Sequence, residues 1–78
     1  MTAPPIASAI AAAIRHLRAE QGLSQERLAV LAGVDRVYAS RIERALTSPS
    51  VEIIDRIAAA LGLPLDVFFA EVERQRGR

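Results

Sequence analysis

The side chains most suited to specific chemistry lie within residues 25–44, and their chemistry is that of binding. The exposed positions of one predicted helix carry Arg36, Val37, Ser40 and Arg41. Helical spacing places these four on the side opposite Ala39 and Ile42. An arginine guanidinium presents a planar fork of N–H donors that can bond O6 and N7 of guanine together, and a valine methyl can meet a thymine methyl. This face is therefore predicted to read DNA bases in the major groove.

Positioning such a face requires two short helices joined by a tight turn. The buried face of the first helix carries Leu28, Ala29 and Ala32. Gly33 follows where a left-handed residue would end that helix at little steric cost. Val34 then points inward, and Asp35 supplies a side-chain cap for the second helix. This spacing predicts a helix-turn-helix motif at about 24–44.

The apolar periodicity of the whole chain predicts an all-α, five-helix domain that spans residues 1–78. The predicted helices cover about 5–21, 25–32, 36–44, 51–61 and 65–73, with Ser24 and Ser50 as caps. The polar tail from Arg74 is expected to fray. Helices four and five, about 51–73, are expected to complete the core and to carry a dimer contact.

Composition argues against most other classes of protein. The chain has no cysteine and a single histidine, so we expect no metal site, no catalytic residues, no cofactor and no enzymatic activity. No apolar run approaches the roughly 18 residues of a membrane span, and no signal-peptide pattern is present. We therefore expect a cytoplasmic protein without a membrane partner. Since the formal net charge is only +1, a positive field must come from the placement of the arginines.

The motif and its flanks resemble a known family. LSQERLAVLAGVDRVYASRIER, preceded by LRAEQG and followed by SPS and IAAALGL, resembles the Cro/CI-type (XRE-like) DNA-binding domain. Within it, VDRVYASRIER and DVFF are most similar to restriction–modification controller proteins. The resemblance implies a transcriptional regulator that binds a palindromic operator in double-stranded DNA as a homodimer. No small-molecule effector is expected.

The resemblance also implies individual DNA contacts. It places base contacts on Arg36, Val37 and Arg41, and helical spacing adds Ser40. Expected phosphate or flanking contacts are Ser24, Gln25, Tyr38, Arg44, Thr47 and Ser48. Surface arginines are often merely solvated, and Tyr38 could equally pack on helix two. The family usually has Gly where this chain has Ala45, so helix three is expected to end differently here.

Two further sets of residues are expected to be structural. Arg18 and Glu43 match the family's salt bridge between helix one and the end of helix three. The expected dimer interface comprises Ile53, Leu65, Val67, Phe68 and Phe69, which exceed what a small core needs. One phenylalanine is expected to close the core, while the other crosses the dimer axis with Leu65 and Val67.

Two alternative functions remain open. An antitoxin of a toxin–antitoxin pair would need an extra toxin-binding segment, for which the residues after Phe69 leave little room. A helical protein-interaction module could have kept the fold and lost DNA binding, which a net charge of +1 permits. The arginines of helix three argue against this second alternative.

Overall fold

The computed structural model describes residues 5–77, and in this part of the chain the elements are five α-helices. They are α1 Ile6–Gln21, α2 Gln25–Ala32, α3 Arg36–Glu43, α4 Val51–Ala60 and α5 Leu65–Gln75. The predicted all-α architecture is confirmed. The expectation that the chain frays from Arg74 is wrong for Arg74 and Gln75, because α5 continues through Gln75. The ends of the predicted domain, residues 1–4 and 78, lie outside the described residues.

The core forms where the apolar stripes of the helices meet. α1 packs against α3 and α5, α2 packs against α3 and α4, and α4 also contacts α5. Ile14 on α1, Ile42 on α3 and Phe68 on α5 are almost completely buried. Burying each such side chain contributes about 1.5–3 kcal/mol. Within residues 5–77, no helix is long and apolar enough to cross a membrane.

Side-chain caps set where three of the helices begin. Ser24 Oγ accepts the Arg27 N–H at 2.9 Å, and Ser50 Oγ accepts the Ile53 N–H at 3.2 Å. Asp35 Oδ2 accepts the N–H groups of Val37 and Tyr38, at 3.0 and 3.2 Å. These bonds satisfy donors that have no partner inside the helix. The three caps are the ones that the sequence predicts.

The end of α3 differs from expectation. Ala45 takes a left-handed backbone conformation, with φ 57°. The Leu46 N–H bonds the Arg41 carbonyl and the Ala45 N–H bonds the Ile42 carbonyl, at 2.9 and 3.0 Å. This is the pattern of hydrogen bonds that also ends α2 at Gly33. The expectation that Ala45 changes the helix end is therefore wrong: the backbone keeps the glycine-type turn and the alanine bears the strain.

Replacing Ala45 with glycine is expected to stabilise the protein. Relief of the left-handed strain should raise the free energy of unfolding by about 1 kcal/mol, less the extra entropy of glycine in the unfolded chain. Gly33→Ala is the matched reverse change, since a Cβ there would meet no atom of the described residues within 4 Å and only the backbone of the new alanine at φ 66° would be strained. Urea denaturation followed by circular dichroism measures both. A loss in Gly33→Ala without a gain in Ala45→Gly would contradict the strain at Ala45.

Candidate nucleic-acid interface

The turn between α2 and α3 fixes how α3 is presented. Gly33 is left-handed at φ 66°, and the Val34 N–H then reaches back to the Ala29 carbonyl at 2.9 Å. Val34 is half-buried and packs against the core. Ala29 and Ala32 are buried beneath the junction. The opposite side of α3, which carries the exposed Arg36 and Val37, faces away from this buried junction.

A buried ion pair holds the other end of α3. The Glu43 side chain is 4% exposed, and its carboxylate accepts a bidentate bond from Arg18, with Nη2–Oε1 at 2.8 Å and Nε–Oε2 at 3.0 Å. Arg18 Nη1 also donates to the Leu23 carbonyl at 2.8 Å. The pairing that the resemblance implies is therefore present in the structure. One guanidinium joins α1, the α1–α2 turn and the last residue of α3.

Arg15 is a second anchor, which the sequence did not reveal. Its Nη1 donates to the main-chain carbonyl of Glu43. A cation at this position satisfies an unpaired carbonyl and interacts favourably with the negative end of the α3 dipole. The sequence does not predict this bond, because its pattern indicates only that Arg15 is an exposed residue of α1.

The predicted base-reading residues lie together on one open concavity. Its volume is about 440 Å³, and it is lined by Gln25, Arg36, Val37, Ser40, Arg41 and Arg44. Three of these side chains are guanidiniums, and the first residue of α2 lies beside the outer side of α3. The surface is concave, polar at several points and rich in positive charge. Such a surface can receive the phosphates and base edges of a duplex.

Exposure separates the residues of α3 into two kinds. The Arg36 side chain is 74% exposed and Val37 is 67% exposed, so both are available to a ligand. Arg41 is exposed and Ser40 is half-buried. Tyr38 is half-buried and packs against the core, so its ring supports the helix from its inner flank. The sequence allowed Tyr38 either to contact DNA or to pack on helix two, and the structure contains a packing contact with the core.

The predicted flanking contacts differ in what their side chains already bind. Ser24 is exposed, but its hydroxyl oxygen is engaged by the Arg27 N–H. Gln25 is half-buried at the first position of α2, where free N–H groups and the helix dipole favour a phosphate. Arg44 lines the concavity, whereas Thr47 and Ser48 lie in the α3–α4 loop beyond its lining residues.

Glu26 is a residue of this surface that the sequence interpretation missed. Its Oε1 lies 3.8 Å from Arg36 Nη1, and the two side chains are 69% and 74% exposed. The available signal was an acidic residue in the first turn of α2, close to the turn that precedes α3. Acidic residues are common in first turns for their effect on the helix dipole, so the signal did not point to Arg36.

The predicted dimer surface on α5 needs one correction. Phe68 lies in the core with 0% of its surface exposed, so it cannot contact a second chain. The sequence-based prediction that places Phe68 in the interface is wrong. Phe69 remains 38% exposed, with its ring edge-on to Phe68 at a centroid distance of 5.5 Å. Leu65 and Val67 are 38% and 46% exposed, and Ile53 is half-buried against the core. Phe68 is thus the phenylalanine that closes the core.

The exposed apolar residues of α5 lie on two flanks of its buried stripe. Leu65 and Phe69 are four residues apart and share one flank, while Val67 is about 160° around the helix from Phe69 at 100° per residue. Phe68 and Val72 form the buried stripe between them. A second α5 that contacts both flanks must straddle the helix, whereas a contact on Leu65 and Phe69 alone is compact.

Comparison with known proteins agrees with this geometry. Residues 14–68 match the helix-turn-helix family. Over 61 residues the chain is 36% identical to the HTH-type transcriptional regulator PuuR of Escherichia coli (strain K12), covering 78% of the chain and 33% of PuuR. The chain therefore spans about a third of the length of that relative. Control protein C.MunI of Mycoplasma sp is 35% identical over 63 residues, covering 80% of the chain and 85% of that protein.

A solved structure shows the same fold in the presence of DNA. The restriction-modification controller protein C.Esp1396I, determined as a tetramer in complex with its natural 35 base-pair operator, matches with a TM-score of 0.88 and 28% identity. The match covers 96% of this chain and 99% of the controller chain. The likeness thus extends over all five helices and includes α5 as well as the motif.

Proposed function

Because this chain belongs to the helix-turn-helix family, we propose that it is a sequence-specific transcriptional regulator that binds a palindromic operator in double-stranded DNA as a homodimer. The observation that carries the proposal is the concavity in which Gln25, Arg36, Val37, Ser40, Arg41 and Arg44 converge. α3 enters the major groove with Arg36, Val37, Ser40 and Arg41 toward base edges. Gln25 and Arg44 contact flanking phosphates, and Ser24, Tyr38, Thr47 and Ser48 lie at the margin of the contact.

The homodimer follows from the small size of one reading surface. One such domain contacts too few base pairs for genomic selectivity, so two copies bind half-sites about one DNA turn apart. Leu65, Val67 and Phe69 supply the exposed apolar surface for this pairing, with Ile53 at its edge. The similarity to C.MunI and C.Esp1396I supports a regulator of the controller type. As a regulator of transcription, it is proposed to act in the cytoplasm.

The interior supports the proposal that no small-molecule effector is needed. The cavity among α1, α2, α3 and α4 is lined mainly by apolar side chains, including Leu28, Ala29 and Ile42, and its volume is about 10 Å³. That volume holds about one water molecule, so this interior cavity has no room for a small-molecule effector. Operator occupancy should therefore depend on protein concentration and salt.

Binding to the DNA upstream of the protein's own gene tests the proposal. Fluorescence anisotropy with that DNA and with a shuffled duplex of equal length and composition should show about 10³-fold tighter binding to the upstream site. The logarithm of the binding constant should fall linearly with the logarithm of salt concentration. Equal, weak binding to both duplexes would contradict a DNA-reading function and favour a protein-interaction module.

Arginine substitutions on α3 should change base preference. Arg36→Ala and Arg41→Ala are each expected to weaken operator binding by about 1–3 kcal/mol and to relax preference at one base position, because each removes a bidentate contact. Gln25→Ala is the comparison variant, since loss of a phosphate contact should weaken specific and non-specific DNA about equally. Titration of operators altered one base pair at a time measures both effects. An unchanged preference at every position in Arg36→Ala would refute its assigned contact.

A further inference from the structure

The surface proposed to face DNA carries a carboxylate, that of Glu26, beside its arginines. Glu26 follows Gln25, the proposed phosphate contact at the start of α2, and lies beside Arg36, which lines the arginine-rich concavity. A negative charge beside DNA phosphates weakens binding to every sequence. Asp35, the other acidic residue next to Arg36, is occupied in capping α3 through Oδ2. Among the described residues Glu26 makes no such capping bond, and its Oε1 lies 3.8 Å from Arg36 Nη1.

The position of Arg36 explains why it benefits from this partner. Arg36 is the first residue of α3, at the positive end of the helix dipole, where a guanidinium is disfavoured. Its side chain is 74% exposed and would otherwise sample many rotamers. A carboxylate 3.8 Å away offsets part of this cost and favours rotamers that place the guanidinium toward α2, by the modest amount that an exposed ion pair contributes. With Nη1 on the side of Glu26, Nε and Nη2 remain as an adjacent pair of donors that matches the two acceptors of guanine.

We propose that Glu26 is a positioning residue that sets the base preference of this surface by orienting the Arg36 guanidinium. The proposal rests on the DNA-reading function proposed above. Glu26 weakens binding to all DNA slightly through its charge, and it strengthens the distinction between guanine and other bases at the position that Arg36 reads. The pair therefore lowers the affinity for all DNA and raises the selectivity for the operator. An arginine without this partner could turn to a phosphate, which carries no sequence information.

The test is a base-preference profile of the full chain with Glu26→Gln, which keeps the shape of the side chain and removes its charge. Each operator position is substituted in turn and the dissociation constants are measured. Preference should fall about fivefold at the position that Arg36→Ala also affects, and should stay unchanged elsewhere, since exposed ion pairs have effects of this size. In an Arg36→Ala background, Glu26→Gln should cause no further loss of preference, because the two residues act as one unit.

Glu20→Gln is the matched control. It makes the same change in net charge on α1, where the Glu20 carboxylate lies 3.4 Å from His16 Nε2 and does not line the concavity. Circular dichroism establishes that each variant is folded. If Glu26→Gln changes binding to all operators by one common factor, as expected of Glu20→Gln, Glu26 acts only through bulk charge and the proposal is overturned. If the wild-type chain itself shows no base preference, the DNA-reading function fails first, and that result is distinct from a preserved preference in Glu26→Gln.

Discussion

Phe69→Asp is expected to give a folded monomer whose affinity for a palindromic operator is at least about 100-fold lower than that of the wild-type chain. Phe69 is 38% exposed and shares one flank of α5 with Leu65, so this apolar pair is a compact candidate for a two-fold contact. In a symmetric dimer each chain would bring one carboxylate into the contact, and both would have to be desolvated. Without the dimer, each half-site binds separately and the gain from simultaneous binding is lost.

Sedimentation velocity at tens of micromolar, together with operator titration, measures both parts of this prediction. Phe69→Leu is the matched control, since it keeps an apolar side chain and should remain dimeric. Val67→Asp places the same charge on the opposite flank, and dissociation there as well would show that the partner straddles α5. A wild-type chain that stays monomeric at these concentrations and binds a palindrome tightly as a single copy would refute the proposed assembly.

Arg18→Met is expected to lower the free energy of unfolding by about 3 kcal/mol. The Glu43 carboxylate is 4% exposed, and all of its side-chain hydrogen bonds found among the described residues come from Arg18. Removing the guanidinium leaves a buried charge uncompensated, and it also leaves the Leu23 carbonyl without this donor. A domain of 78 residues has a total stability of only about 4–12 kcal/mol, so the loss is a large fraction of the whole.

The double variant Arg18→Met with Glu43→Leu separates a charge effect from a packing effect. Replacing both partners of a buried ion pair by apolar side chains is often nearly neutral, so much of the lost stability should return. Urea denaturation of the wild type, Arg18→Met, Glu43→Leu and the double variant gives the four free energies of unfolding of a double-mutant cycle. Equal losses in Arg18→Met and in the double variant would show that the ion pair contributes little and that packing around the aliphatic part of Arg18 dominates.

Local patterns were sufficient to predict the helices and the motif. The four-residue spacing of Ile6, Ile10 and Ile14 identifies α1, and Gly33 with Asp35 marks the turn before α3. These signals are reliable because periodicity, left-handed glycines and caps depend on residues within a few positions of one another. For the same reason, helical spacing alone brought Arg36, Val37, Ser40 and Arg41 to one side of α3, which is where the structure places them.

Contacts between residues far apart in the sequence could not be predicted from such local patterns. The bond from Arg15 to the end of α3 joins residues 28 positions apart, and the approach of Glu26 to Arg36 depends on the angle between two helices. The choice of Phe68 over Phe69 for the core depends on the rotation of α5 against α1 and α4. Adjacent phenylalanines are equivalent by composition, and only the packed helices distinguish them.

Ala45 shows most directly how the tertiary structure can override a local preference. By itself, alanine argues against a left-handed helix end, because its Cβ adds a cost of about 1–2 kcal/mol in that conformation. The α3–α4 connection nevertheless keeps φ 57° at Ala45, since Ile42 and Glu43 are buried before it and Ile54 is buried after it. The sequence determined which helices form and which side of α3 is polar. The packing of those helices decided where α3 ends, which phenylalanine is buried and which carboxylate faces Arg36, because each depends on contacts between residues far apart in the chain.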